Sequence, residues 1–368
     1  MTIAYFAHEL ADATVQKRLR MLASAGESVV LLGFERDRGG TQTHSGVVLG
    51  ATRNGKFAAR IVSLGLAIPR GLKHRRQWEN ARLVIARNLE MLALVIALTR
   101  LAGVRPRLVY ECLDIHRMVL ANGVGGRIVR AVERFCLRRA DLVLVSSPAF
   151  EWRYFRTIQQ FKGRILVAEN KVFAAGAAAP APPPAPPWII AWCGVLRCKR
   201  SLELLTALAQ AHAELVRIEL WGAPALDQIP DFHERIALCP NVRYHGRYRP
   251  EDLPEIYARA HFAWTLDFYE AGGNSDWLLP NRLYESICFG AAPLAAAGAE
   301  TARWLNAHNV GVVLDAPLER TLPAFFERLD ARGFDELQKA AAALPAEATR
   351  LSPDACRIFV EELAGAPG

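Results

Sequence analysis

Residues 174–188 read AAGAAAPAPPPAPPW, and a run like that cannot be threaded through a packed core. Its prolines fix φ and carry no N–H, so the stretch favours extended polyproline II and predicts a semi-rigid linker over 174–187. It cuts a chain of 368 residues into two pieces, each near the common domain size, which suits a length that is long for one hydrophobic core. Both pieces alternate short apolar runs with longer helical patterns. In the first, TIAYFA, SVVLLGF, RLVYECL, DLVLVSS and RILVAEN read as strands, with helices over 14–25, 77–101 and 124–140. In the second, WIIAWCG, RIELWGA, VRYHG, HFAWTL and APLAAA read as strands, separated by helices near 201–212, 251–260, 280–289 and 299–307. Such alternation predicts an α/β chain of two Rossmann-like units, 1–173 and 188–350, each with a parallel sheet covered on both faces. Ligands of open α/β sheets bind outside the carboxyl ends of the strands, so a cleft between the two sheets is the expected site. A last helix starts at Ser352-Pro353-Asp354.

Charge sharpens the division. Residues 1–175 hold 28 Lys and Arg against 13 Asp and Glu, a balance of +15, whereas the remainder holds 17 against 24, or −7. The first half is therefore expected to face a negatively charged surface, and nucleic acid or anionic lipid has the right sign. The arginines of 70–100 (Arg70, Arg75, Arg76, Arg82, Arg87, with Lys73 and His74) run into an apolar stretch in what reads as one helix. That order suits docking at an anionic membrane surface, and equally a core helix with a solvated basic end. Aromatic residues do not interleave with the arginines, which argues against nucleic acid. MLALVIAL (91–98) is too short to span a bilayer, and the start MTIAYFAHELAD lacks the features of a secretory leader. Seven scattered cysteines without a CxxC pair fit a reducing, cytoplasmic setting and give no zinc pattern.

Four stretches carry candidate chemistry. In WCGVLRCKRSLELL (192–205) a strand ends at Gly194, and Arg197, Lys199 and Arg200 precede a helix. A glycine turn, cations and a helix N-terminus make an anion site of the kind a pyrophosphate needs; the same cations also suit a solvated loop. In PNRLYESICFG (280–290) Asn281 and Glu285 lie four apart on one helix face. A carboxylate there can accept hydrogen bonds from the vicinal diol of a ribose, or simply be solvated. YECLDIH (110–116) ends a strand with Glu111, Asp114 and His116, where acid–base groups gather and where a surface histidine is also at home. AHELADA (7–13) brings His8, Glu9 and Asp12 after the first strand, without the glycines of a dinucleotide fingerprint, which speaks against an NAD or FAD enzyme.

The order of five stretches resembles the GT-B glycosyltransferases, specifically the bacterial family-4-like enzymes of exopolysaccharide and lipopolysaccharide synthesis. They are ADLVLVSSPAF, VAENKVF, GVLRCKRSLELL, PNVRYHGRYRPEDLPEIYARAHFAW and PNRLYESICFGAAPLA, spread over nearly the whole length. The resemblance implies a nucleotide-sugar donor domain at 188–350 and an acceptor domain at 1–173. It implies that 351–368 forms a crossover helix returning to the first domain. By it, Arg197 and Lys199 bind the donor diphosphate, with Gly194, Asn281 and Arg282 beside them and Glu285 on the ribose. The loop from Asn274 to Asn281 lies near the transferred sugar, Asp114 and His116 face that sugar, and Asn170 precedes the crossover. Two positions depart from the family pattern. Its paired glutamates are eight positions apart, and Trp277 stands where the first would be, leaving Asp276 or Glu270 as substitutes. The first loop reads HELAD in place of glycines, so Asp12 and Glu9, with His116 behind them, become the candidate acceptor bases. The expected enzyme moves a hexose from a UDP- or GDP-sugar to a saccharide acceptor, plausibly lipid-linked, from the cytoplasmic side of the membrane. It needs no metal or cofactor, because cations neutralise the leaving diphosphate. A nucleotide-sugar epimerase of the same fold and a non-catalytic nucleotide- or sugar-binding paralogue are the alternatives.

Overall fold

The computed structural model of the chain describes residues 1–36, 46–52, 57–173 and 182–365, with the backbone alone at 36, 52 and 57–62. The chain forms two compact units, Met1–Glu169 with Ser352–Gly368, and Asn170–Leu351. Most of the expected linker, 174–181, lies outside the described residues.

The first unit is built on seven strands: β1 (Thr2–Ala7), β2 (Ser28–Arg36), β3 (Val47–Thr52), β4 (Leu83–Arg87), β5 (Arg107–Cys112), β6 (Leu142–Val145) and β7 (Ile165–Val167). They pair in parallel in the order β3-β2-β1-β4-β5-β6-β7. Central strands such as β1 and β4 are buried almost throughout, which is why their sequences are continuous apolar runs instead of alternating ones. The strand order reverses direction between β1 and β4, making the carboxyl ends of these two strands the switch point of this unit.

One expectation fails here. Residues 77–101 do not form one helix, and no basic helix runs from 70 to 100. A helix ends at Lys73, a single turn covers Arg75–Trp78, β4 follows, and the apolar helix Asn88–Ala102 comes after it. LVIA is apolar towards both faces, as an interior parallel strand must be, and such a run has no periodicity to separate it from a buried helix. The chain turns from β4 straight into the next helix because Asn88 adopts φ 69°, a left-handed conformation that asparagine tolerates better than most residues. Arg87 consequently sits 4% exposed at the end of a strand and is unavailable to a membrane surface.

The C-terminal helix Pro353–Ala364 belongs to this first unit. Phe359 lies under the Arg18 guanidinium, 4.7 Å from it, and Arg107 Nε donates to the Leu363 carbonyl over 2.7 Å.

In the second unit a short pair, β8 (Val172–Phe173) and β15 (Arg350–Leu351), stands apart from the main sheet. The sheet itself comprises β9 (Trp188–Leu196), β10 (Val216–Pro224), β11 (Val242–Gly246), β12 (Phe262–Trp264), β13 (Ala292–Ala296) and β14 (Val312–Leu314). All pair in parallel in the order β11-β10-β9-β12-β13-β14, so the switch point lies between β9 and β12. Trp188, Trp192, Phe262, Trp264 and Phe326 fill its largest core.

Residues 182–187, expected to be linker, are tied to this unit by His261. Its Nδ1 accepts from the Ile189 N–H (2.9 Å) and its Nε2 donates to the Pro183 carbonyl (2.8 Å). Burial holds this imidazole below its ordinary value. Its folded state resists protonation while the unfolded chain takes up the proton near pH ~6.5, so the stability that neutral His261 confers is present above that pH and declines below it. We expect Tm to fall as pH drops from about 7.5 to about 5, and the slope to be shallower in His261→Gln. An identical slope in thermal melts of the variant would assign the pH response to other groups.

Candidate active site

In the second unit, the polar groups collect at the carboxyl ends of β9 and β12. Gly194 in β9 adopts φ 126° and lies level with Gly222 of β10, at φ 135°. A Cβ on Gly222 would meet the Gly194 carbonyl oxygen at 1.7 Å, so the two backbones approach as only glycine permits. Immediately beyond, the helix Lys199–Ala211 begins, capped by the Cys198 thiol, whose Sγ accepts from the Ser201 and Phe268 N–H groups at 3.4 Å. A thiol is a weak acceptor, so the positive end of this helix stays poorly neutralised. Arg197 is half-buried there, its guanidinium 4.5 Å from the centre of the Tyr269 ring, and Lys199 is exposed, 4.0 Å from Glu203. Arg200, the third cation of the stretch, pairs instead with Glu319.

The helix Asn281–Cys288 brings the remaining expected residues. Arg282 reaches across the switch point, donating from Nη1 to the Cys193 carbonyl (3.5 Å) and from Nη2 to the Leu266 carbonyl (3.2 Å). Its Nη1 lies only 3.7 Å from where a Gly194 Cβ would stand. Two polar atoms here, Arg282 Nε and Asn281 Oδ1, are buried with no hydrogen-bond partner among the described residues. Leaving such groups unsatisfied costs about 1–3 kcal/mol each, so a polar ligand that bonded to them here would recover that cost. Glu285 is half-buried one turn on, and its negative charge acts on Cys193, Tyr248 and Tyr257. Burial, reinforced by Glu285, pushes the Cys193 thiol up to about 12, which keeps it protonated and unreactive.

The loop after β12 differs from the family pattern in a way the coordinates explain. Trp277, standing at the first glutamate's position, is 7% exposed in the short helix Asn274–Trp277. The Asp276 carboxylate accepts from the Gly272 N–H over 2.8 Å, and the Glu270 N–H donates to Ser275 Oγ over 2.9 Å. A recess of about 190 Å³ lies beside them, lined by Thr265, Asp267, Ser275, Asp276, Gly298 and Thr301 among others. Asp267 was absent from the sequence reading. It lies three residues past the end of β12, and its place beyond a strand's carboxyl end was the signal that could have found it. Asn170 donates to the Leu279 carbonyl at 3.2 Å and so anchors this loop.

The first unit holds its expected residues on two loops at the carboxyl edge of its sheet, after β1 and after β5. Asp12 caps the helix Ala13–Ser24, accepting from Thr14 N–H (2.8 Å) and Val15 N–H (3.2 Å), and Arg87 stands 3.6 Å away. Burial alone would raise the Asp12 carboxyl, but Arg87 and the Thr14 bond outweigh it and hold the group below its ordinary value. Glu9 is buried, and His8, Glu9 and Asp12 place one ligand atom each within 4.8 Å of one another. The charge of Arg87 beside Asp12 disfavours a divalent cation in that group. Asp114 and His116 are exposed after β5, with His116 Nδ1 accepting from the Met118 N–H (3.2 Å) to cap a short helix. The structure adds Asn88, whose amide lies 3.3 Å from His8 Nδ1 at the switch point. No sequence signal marked it, and the residue was hidden inside the helix expected over 77–101.

Beneath these loops lies a buried charged network. Glu111, fully buried, accepts from Arg18 Nε (2.8 Å) and from the Tyr5 hydroxyl, to which Arg87 Nη1 also donates (3.2 Å). The two arginines overcome the burial penalty and hold the Glu111 carboxyl below its ordinary value.

Comparison with known proteins identifies the setting. The glycosyl transferase 4-like domain family matches residues 11–171. The succinoglycan biosynthesis protein ExoL of Rhizobium meliloti is 41% identical over 330 residues, 86% of this chain and 81% of that protein. Among solved structures, sucrose-phosphate synthase from Thermosynechococcus elongatus superposes with a TM-score of 0.77 at 15% identity, covering 99% of this chain and 98% of that one. HepE of Anabaena, in complex with UDP-glucose, gives 0.68 at 15% identity, with 98% of each chain covered. These structural likenesses show the fold, and the sequence relationship shows the family: the chain is a GT-B-fold, nucleotide-sugar-dependent glycosyltransferase and belongs with the bacterial family-4-like enzymes of exopolysaccharide and lipopolysaccharide biosynthesis.

Proposed function

We propose that this enzyme transfers a hexose from a UDP- or GDP-sugar to a lipid-linked saccharide at the cytoplasmic face of an anionic membrane, as a step in building an exported polysaccharide. One observation carries the donor half of this reading: two buried, unpartnered polar atoms, Arg282 Nε and Asn281 Oδ1, beside a glycine crossing and a cationic helix start. Arg197 and Lys199 receive the diphosphate and hold its charge as the sugar leaves, a task that needs no metal. Arg282 fixes the diphosphate's orientation, and Glu285 accepts hydrogen bonds from the ribose diol. Asp267 and Asp276 offer carboxylates to the hydroxyls of the transferred sugar, in place of the glutamate that Trp277 displaces. HepE's complex with UDP-glucose favours UDP, and the name of ExoL favours an exopolysaccharide acceptor. In the first unit, Asp12 is a weak proton acceptor because its cap and Arg87 stabilise the carboxylate. The base role, where one is needed, therefore falls to Glu9, with Asp114 and His116 on the loop after β5, one strand beyond β4.

Thermal melts with a panel of nucleotides and nucleotide sugars test this reading, since a ligand that binds only the native state stabilises it by mass action. UDP or GDP is expected to raise Tm, and membrane extract is expected to accept labelled sugar from the matching donor. Epimerised nucleotide sugar formed from donor alone would favour the epimerase, and binding without turnover a non-catalytic paralogue. Absence of any nucleotide shift would overturn the donor assignment.

A further inference from the structure

The basic helix expected to meet a membrane does not exist, yet another helix in the first unit has the required surface. Val124–Leu137 buries Gly126, Glu133, Cys136 and Leu137 against the unit, and so its opposite face is the one turned to solvent. That outward face is also apolar: Val124 is 71%, Ile128 57%, Val132 46% and Phe135 56% exposed. The positions recur at intervals of four, four and three, so they form one stripe spanning roughly 16 Å at the helical rise. Four of the twelve exposed large apolar side chains among the described residues lie on this single helix, while the rest are dispersed. Isolated exposed apolar residues need no explanation; a continuous stripe does.

Charge names its occupant. Arg127 and Arg134 flank the stripe along the helix, and Arg138 and Arg139 follow at its end, all exposed. The helix's only acidic residue, Glu133, faces inward, bonded to Tyr110, Tyr154 and Gln159. No ion pair involves Arg127, Arg138 or Arg139 among the described residues. In the adjoining segment Phe150–Arg156, Trp152 is 42% exposed beneath Arg153, the amphipathic ring typical of a membrane interface. A second copy of the chain fits poorly, because a two-fold contact would set arginines against arginines. An apolar stripe edged by uncompensated arginines matches the acyl boundary and anionic headgroups of a bilayer.

We propose that helix Val124–Leu137 is the element by which this enzyme docks on an anionic lipid surface, inserting Ile128 and Phe135 while the flanking arginines meet headgroup phosphates. The inference deepens the lipid-linked acceptor reading and rests on it. It also links the surface to the site loops. Arg130 Nη1 donates to the Val119 and Ala121 carbonyls (2.6 and 2.8 Å), and a Cβ on Gly126 would stand 2.1 Å from the Ala121 oxygen. The segment carrying Asp114 and His116 is thereby clamped to the start of the docking helix.

Co-sedimentation with phosphatidylglycerol–phosphatidylcholine vesicles tests the proposal, with pure phosphatidylcholine as comparison. Wild type is expected to bind the anionic vesicles, less at high salt, and the Ile128→Glu/Phe135→Glu variant at least about tenfold more weakly. Arg127→Ala/Arg138→Ala/Arg139→Ala is expected to lose the preference for anionic over neutral lipid. Leu238→Glu, an exposed position in the second unit, should bind as wild type does. The nucleotide-induced Tm shift, which arises in the second unit, is read on every variant and shows that each still folds; its loss in wild type would count against the donor reading alone. Lack of vesicle binding by wild type, equal binding by Ile128→Glu/Phe135→Glu, or a wild-type dimer in light scattering that this variant dissolves would each overturn the docking role.

Discussion

Exchanging Glu111 for Gln is expected to cost the first unit roughly 3–5 kcal/mol. Glu111 is fully buried and answers two arginines that are themselves 6% and 4% exposed. Removing its charge leaves Arg18 without an anion in an apolar interior and Arg87 with Asp12 alone, and a buried unpaired cation is far costlier than a missing hydrogen bond. Urea unfolding followed by signals of the first unit measures the loss. The paired control is Glu133→Gln. Glu133 is buried as deeply, but its partners are two tyrosines and a glutamine, and burial raises its carboxyl above the ordinary value. It has no cation to strand, so its replacement is expected to cost under about 1 kcal/mol. Equal costs for the two would mean that the arginines find other anions. Acid should expose the same contrast. Glu111 has a depressed carboxyl, so its contribution is present above the unfolded carboxyl range near pH ~4 and is lost as pH falls through its lower folded value.

The second large effect concerns the donor. Glu285→Ala and Arg197→Ala are each expected to abolish the nucleotide-induced Tm shift and to lower kcat/KM by about 100-fold or more, as removal of one charged contact to a leaving group does elsewhere. Arg282→Lys should do nearly as much. Lysine keeps the charge but cannot span the Cys193 and Leu266 carbonyls while presenting a third donor inward. Steady-state kinetics separates the roles. Loss of the ribose contact acts mainly on KM, and loss of a diphosphate cation acts on kcat as well. An undiminished nucleotide shift in Glu285→Ala or Arg197→Ala would place the donor elsewhere.

The parallel sheets were legible because interior strands such as IAYFA and LVLV are apolar on both faces and end at turn residues. The same property hid β4: LVIA joins an apolar helix with no polar break, and the single residue that turns the chain, Asn88, does so by a backbone angle that sequence does not print. With β4 went Arg87 and Asn88. In the second unit the glycine turn, the cations and Glu285 stood out as candidates because one short helix and one strand end carry them, but spacing left a solvated loop equally open and only the family resemblance implied donor roles. Asp267 escaped notice since a lone aspartate after a strand has no motif around it. The docking stripe escaped for a different reason. Helix Val124–Leu137 has one broad apolar arc, which periodicity assigns to the core, and only packing reveals that Val124, Ile128, Val132 and Phe135 face outward while Gly126 and Glu133 face in.

The helix Pro353–Ala364, held by Arg18 and Arg107, sets an order of events during synthesis. The ribosome releases the first unit's sheet early, but the side of Ala13–Ser24 that meets Phe359 stays wet until almost the whole chain has been made. The second unit, contiguous from Asn170 to Leu351, can finish in the interval. The part begun first is thus completed last, and a chain cut short after residue 351 would carry a finished second unit on a first unit missing a wall.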